Sequence, residues 1–153
     1  MKTPTVRLAN LVDVPKLGVL FDAYRQFYEQ TPDVRLATTF VQRRMERNQS
    51  VIFLAEWDDG SAIGFCQLYP TFCSVEAAPV MVLYDLYVAP AARQLGLGKA
   101  LLLAAEAHAS QSGCVRLDLT TAKTNFTAQR LYESLGWVRE EQFFTYQRHL
   151  PCA

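Results

Sequence analysis

The segment that most constrains this chain runs from Val80 to Ser112. Val80–Val88 (VMVLYDLYV) is its most strand-like run, rich in β-branched and aromatic residues. It passes through Ala89 and Pro90 into a loop that carries Gly96 and Gly98. Gly96–Ser112 then reads as a helix closed by Gly113, with small residues at Ala100, Ala104 and Ala105 that let it lie close on a sheet. A strand that hands over to a helix covering the same sheet commits the chain to an α/β architecture. The 153 residues, half of them hydrophobic, predict one domain with a real core over 1–153. Fifteen Lys and Arg balance fifteen Asp and Glu, so the basic excess of a nonspecific nucleic-acid binder is missing.

The remaining elements follow from local pattern. Thr5–Ala9 alternates like a short strand. Asp13 reads as a helix N-cap with Pro15 in the first turn, and Leu17, Leu20, Phe21, Tyr24, Phe27 and Tyr28 recur at helical steps, predicting a helix over Val14–Glu29. A more charged helix is expected over Val34–Arg47. Ser50–Trp57 and Ala62–Tyr69, joined by Asp58-Asp59-Gly60-Ser61, predict a hairpin. Pro70–Pro79 reads as the longest loop. Cys114–Thr121 is expected as a strand, Thr124–Leu135 as a helix ended by Gly136, and Trp137–Leu150 as a final pair of β segments. The order β-α-α-β-β-β-α-β-α-β-β describes a mixed, mostly antiparallel sheet with helical crossovers in its later half.

The loop after Val88 has its own chemistry. Glycines that open a helix leave unpaired N–H groups at the positive end of the helix dipole, a geometry suited to phosphate oxygens. Arg93 and Lys99 add two cations. A Walker loop would need Gly at 93 and Ser or Thr at 100, where the chain has Arg93 and Ala100; a dinucleotide fingerprint would need a glycine where Leu101 stands. What remains is R-x-x-G-x-G between strand and helix. Further on, a pitch of about 3.6 residues brings Asn125, Ala128 and Tyr132 to one helix face.

Together these segments resemble the GNAT superfamily of N-acetyltransferases. Arg93-Gln94-Leu95-Gly96-Leu97-Gly98 matches its acetyl-CoA loop, Q/R-x-x-G-x-G/A, and Asn125-x-x-Ala128-x-x-Leu131-Tyr132-x-x-x-Gly136-Trp137 resembles its later asparagine–tyrosine helix. The resemblance implies a single-domain GNAT-like fold and acetyl-CoA as co-substrate. It implies that the backbone of Leu86, Tyr87 and Val88 pairs with the pantetheine arm and that N–H groups of Gln94, Leu95, Gly96, Leu97, Gly98 and Lys99 hold the pyrophosphate beside Arg93. It places Asn125 at the pantetheine and Tyr132 beside the thioester sulfur. Gly64–Val88 is most similar to the polyamine and diamine acetyltransferases. Tyr84, however, stands where those tend to carry a second carboxylate, so a shorter amine, an amino acid, a peptide N-terminus or a lysine stays open.

The implied roles are chemically sound. A thiol leaving group has a pKa of about 8.5, and a phenol of pKa ~10 can give it a proton without itself ionising at neutral pH. The acceptor amine arrives protonated, with a pKa of ~10.4 if it resembles lysine. Asp85, expected on one strand face with Leu83 and Tyr87, is the candidate for that charge. It is either a member of a structural salt bridge or the site that recognises a cationic amine. Glu29 is a second candidate; with Tyr28, Tyr84 and Asp85 it makes up the expected amine wall, while Tyr24 is expected in the core. The expected function is transfer of acetyl to a small primary amine by direct attack in a ternary complex. The alternatives are a protein lysine or N-terminal acetyltransferase, or a non-catalytic acyl-CoA sensor.

Cys66, Cys73, Cys114 and Cys152 fit neither a CxxC spacing nor a disulfide framework, and with only His108 and His149 no metal site is expected. The N-terminus shows no secretory signal and no run approaches the ~20 apolar residues of a membrane span, so a cytoplasmic protein is expected. No nucleic-acid or membrane partner is expected. The resemblance implies a homodimer, with the edge of Phe143–Leu150 as its expected seat.

Overall fold

The computed structural model describes residues 2–152. It falls into two compact units, Met1–Thr120 and Thr121–Ala153, and each is described by itself. The first holds a five-stranded sheet: β1 (Thr5–Leu8), β2 (Val51–Glu56), β3 (Ala62–Cys73), β4 (Ala78–Val88) and β5 (Leu117–Asp118), in that spatial order. Neighbours among the first four strands run antiparallel, and β5 pairs parallel to β4. Helices α1 (Val14–Phe27) and α2 (Val34–Glu46) connect β1 to β2, and α3 (Leu97–Gln111) connects β4 to β5.

Local chemistry explains the helices. Asn10 and Asp13 form a capping box at the single 3-10 turn before α1, and Pro15 stands at the start of the helix. The Asp33 side chain caps α2 through the Leu36 N–H. Gly18 lets α1 and α2 touch, because a Cβ there would run into Thr38. Leu17, Leu20 and Phe21 of α1 and Ala37 and Val41 of α2 then bury against Ile52, Leu54 and Phe65 of the sheet. Each large side chain of this cluster contributes about 1.5–3 kcal/mol by leaving water. Cys66, one residue after Phe65, points the other way and meets the Leu101 carbonyl of α3 at 3.7 Å, so α3 covers the opposite face.

Three expectations need correction. The loop expected over Pro70–Pro79 is mostly hairpin: β3 and β4 pair out to Cys73 and Ala78, leaving a turn at residues 74–77 with Ala77 at φ 49°. A cross-strand ladder overrode the turn composition read there. β5 is shorter than the expected Cys114–Thr121. In the second unit, α4 (Phe126–Ser134) forms, but no strand follows it among the described residues, so the expected β pair over Trp137–Leu150 is absent. Phe143 and Phe144 are adjacent rather than alternating, and Glu140 Oε2 draws the N–H groups of Gln142 and Phe143 at 2.8 and 2.9 Å into a local turn. The strand edge expected to seat a homodimer is therefore missing. No helix among the described residues is long and apolar enough to cross a membrane.

Candidate active site

The site is built around an irregularity in β4. Gln67 pairs with Asp85 but Leu68 pairs with Leu83, which leaves Tyr84 as an extra residue. Such a bulge re-aims the side chains beside it. Asp85 therefore shares the α1 face with Tyr87 and Phe65, whereas Leu83 falls on the α3 face, contrary to the alternation expected from sequence. Tyr84 is pushed outward, 66% exposed, with its ring edge-on to Tyr69 at 5.5 Å.

Asp85 itself is only 4% exposed. Gln67 Nε2 donates to its Oδ2 at 2.7 Å, and the Tyr24 hydroxyl bonds it as well as facing the Tyr84 carbonyl at 3.4 Å. Burial raises the Asp85 pKa above the usual carboxylate range, against the opposing pull of those two hydrogen bonds. Among the described residues no cation neutralises it, so the salt-bridge alternative falls and a buried, cation-free carboxylate remains. Burial, followed by the nearby Asp85 charge, raises the Tyr24 pKa far above that of a free phenol.

Tyr24 is more than a core residue. Its ring meets those of Phe21, Tyr28, Phe65 and Tyr87 at 5.1–6.3 Å while its hydroxyl reaches Asp85. Tyr28 is half exposed beside it, and Glu29 lies exposed at the end of α1 with φ 61°. Gln67 and Tyr69 are the residues that sequence reasoning missed. A glutamine inside the apolar run Ala62–Tyr69 was the available signal.

Beyond Asp85 the strand has one open side. Leu86, Tyr87 and Val88 pair with Cys66, Phe65 and Gly64 of β3, while the β5 ladder reaches only Met81 and Val82. The other edge of Leu86–Val88 has no strand partner among the described residues, which suits an extended ligand arm. Arg93 also has a structural bond: its Nε donates to the Val88 carbonyl at 3.0 Å and its guanidinium lies 5.9 Å over the rings of Phe27 and Tyr87. It braces the loop. Gln94 and Gly96 take positive φ (64° and 77°), and the buried Leu97 anchors the start of α3. The first helical bond comes from Ala100 N to Gly96 O at 3.0 Å, so the N–H groups of Leu97, Gly98 and Lys99 precede it. These are the groups a phosphate can use, and the strand-loop-helix segment fits the expected donor.

In the second unit, the Asn125 Oδ1 accepts the Ala128 N–H at 3.3 Å and caps α4. Its oxygen thus has a structural use that sequence reading had not given it. The Tyr132 ring lies 6.1 Å from that of Trp137, and the Trp137 N–H returns to the Tyr132 carbonyl across Gly136 at φ 91°.

The Acetyltransferase (GNAT) family model matches residues 17–137, through β4, the loop and both later helices. The chain belongs to this family. As a GNAT enzyme it is an N-acetyltransferase that uses acetyl-CoA as acetyl donor. It is 41% identical over 147 residues to the uncharacterized N-acetyltransferase YhfO of Bacillus subtilis, covering 96% of this chain and 98% of that one. A crystal structure of a probable acetyltransferase superimposes with a TM-score of 0.90 at 34% identity, over 97% and 99% of the two chains. More distant is an aminoglycoside N(6')-acetyltransferase type 1 of Salmonella typhimurium, 30% identical over 95 residues, 59% of this chain and 64% of that one.

Cys66, the buried cysteine of β3, is unsuited to act as a nucleophile. Burial pushes its thiol up to about 12, far from a working thiolate.

Proposed function

We propose that this GNAT enzyme acetylates the primary amine of a small molecule, with Asp85 receiving the amine and Tyr132 acting as general acid. The observation that carries this reading is the cation-free carboxylate of Asp85, buried on the strand whose open edge leads into the N-terminus of α3. Acetyl-CoA supplies an activated acyl carbon and a thiolate leaving group. Leu86–Val88 would hold the pantetheine arm by their backbone, and the N–H groups at residues 94–99 the pyrophosphate, with Asn125 near the arm.

Asp85 binds the incoming ammonium and passes one of its protons to water. The freed lone pair forms the C–N bond as the C–S bond breaks in a ternary complex. Tyr132 gives its proton to the departing sulfur and regains one from the acetylated nitrogen through solvent, so atoms and charge balance. Tyr28, Glu29 and Tyr84 would line the amine's approach. Residues 1–153 would act as one N-acetyltransferase domain, a view supported by the family match running across both units. A cytoplasmic setting agrees with four free cysteines. Similarity of Gly64–Val88 to the polyamine and diamine enzymes, and of the chain to an aminoglycoside acetyltransferase, supports a small amine acceptor. A homodimer rests on the family resemblance alone.

The test is thiol release from acetyl-CoA with a panel of primary amines. Tyr132→Phe is expected to lower kcat at least about 100-fold while leaving the acetyl-CoA Kd within about twofold. Unchanged turnover would remove Tyr132 from the acid role. Acetyl-CoA binding with no thiol release on any amine would make the protein a sensor instead.

A further inference from the structure

The polar groups around Asp85 carry information about the acceptor's charge. On the acidic side, Gln67 is fully buried, and while its Nε2 holds Asp85, its Oε1 has no hydrogen-bond donor. That oxygen shares an amide carbon with the nitrogen bonded to Asp85, so the two residues present adjacent acceptors on the α1 face. An alkylammonium, with three N–H groups, is the complement to such a pair.

Arg44 of α2 joins the same aromatic cluster. Its guanidinium lies 4.8 Å over Phe40, which stacks on Phe21 at 5.4 Å, and Phe21 stacks on Tyr24 at 6.0 Å. Its Nε is buried without an acceptor. Arg44 and Asp85 act with opposite sign on the same Tyr69 hydroxyl, and Tyr69 meets Tyr84 edge to face. Tyr24 feels the Asp85 charge as well. The nearest other buried acid on α1, Asp22, is already engaged by Arg25, Gln26 and the Asp33 N–H. Asp85 and Arg44 thus bear on the same tyrosine, Tyr69, with an unfilled acceptor on Gln67 beside the one and the unfilled Nε of the other.

We infer that the acceptor is a zwitterionic amine of the amino-acid class, whose single primary ammonium meets Asp85 and Gln67, whose anionic group faces Arg44, and whose apolar or aromatic body lies along Tyr69 and Tyr84. This rests on the reading of Asp85 as the amine site. A polycation such as an aminoglycoside or polyamine would bring further positive charges to a wall that already holds Arg44, and complementarity disfavours it. The chemical step is unchanged: one ammonium proton leaves, the C–N bond forms and the C–S bond breaks.

The experiment compares matched acceptors at saturating acetyl-CoA, reading thiol release. L-phenylalanine and 4-(aminomethyl)benzoate carry the anion; phenethylamine and benzylamine have the same bodies without it; spermidine and kanamycin are the polycations. At least one zwitterion is expected to exceed its anion-free partner by about tenfold in kcat/KM, and both polycations by more. In Arg44→Gln that ratio should fall toward one through a higher KM for the zwitterion. Anion-free amines or polycations turning over best would overturn the inference while leaving the Asp85 reading intact. So would turnover confined to a lysine-containing peptide. If acetyl-CoA binds but no probe releases thiol, both the inference and the Asp85 reading fail. The wild-type comparison stands even if the Arg44 variant does not fold.

Discussion

Two buried carboxylate centres in the first unit look alike by depth and behave oppositely. Asp13 is 3% exposed and Asp85 is 4% exposed. Asp13 is gripped by both terminal nitrogens of Arg7, at 2.8 and 2.9 Å, with Lys16 at 3.3 Å and the Asn10 N–H at 2.9 Å. Arg7 and Lys16 also hold Glu56, at 2.7 and 2.6 Å. The Arg7 hydrogen bonds therefore keep Asp13 and Glu56 below the usual carboxylate range. Among the described residues Asp85 has an amide and a phenol but no cation, and burial raises it. A neutralised buried acid ties β1, α1 and β2 together; one without a counter-charge carries a desolvation cost that the ammonium of the proposed acceptor would offset.

The largest effect should come from exchanging the roles. Asp85→Asn is expected to lower kcat/KM with an amine at least about 100-fold. Its melting temperature should equal or exceed that of the wild type, because an unneutralised buried charge has gone. A variant that melts earlier and keeps its turnover would erase the contrast.

Arg7→Met should do the reverse, costing about 2–3 kcal/mol in urea unfolding. That is below the ~3–5 of a fully buried pair, because Arg7 is 37% exposed. Acetyl-CoA affinity should stay within about twofold, as read by calorimetry.

The pH profiles sharpen the difference further. For Asp13 and Glu56 the folded pKa lies below the unfolded value of about 3.9–4.3, so their stabilisation is present above that value and is lost as pH falls through the folded one. For Asp85 the folded pKa is raised. Its contribution is complete below about 3.9 and is lost as pH rises through the folded value. The stability gained by Asp85→Asn should thus grow from acid to neutral pH, whereas the loss in Arg7→Met should shrink toward acid. Chemical denaturation from about pH 2 to pH 7 reads both slopes, the Arg7→Met one below about pH 4 and the Asp85→Asn one above it.

Lys16→Met is the smallest change, about 0.5–1 kcal/mol, because that cation is 33% exposed and Arg7 remains to hold both acids.

Much of this was legible in the chain. The helical spacing from Leu17 to Tyr24, the β-rich run from Val80 and the glycines at 96 and 98 each state a local preference strongly enough to survive folding. The family resemblance carried by residues 93–98 and 125–137 agrees with the model match over 17–137. The failures have a common cause. The β3–β4 ladder past Pro70, the bulge at Tyr84 and the missing strands after Trp137 depend on which backbone finds a partner, and pairing is not a local property. For Arg93 the tertiary structure adds a contact that no local pattern announces. As sequence it is a cation beside a phosphate loop; in the fold its Nε also bonds the Val88 carbonyl.

The order of residues alone decided the class of fold, the strand-to-helix turn that suits a diphosphate, and the presence of an acid at position 85, because these follow from backbone preference and local spacing. Only the tertiary structure decided that this acid is buried without a cation among the described residues, that Gln67 holds it from the neighbouring strand, and that Arg44 and Asp85 act on the same Tyr69. Those facts arise where segments distant in the chain meet, and charge, burial and hydrogen-bond satisfaction are properties of that meeting.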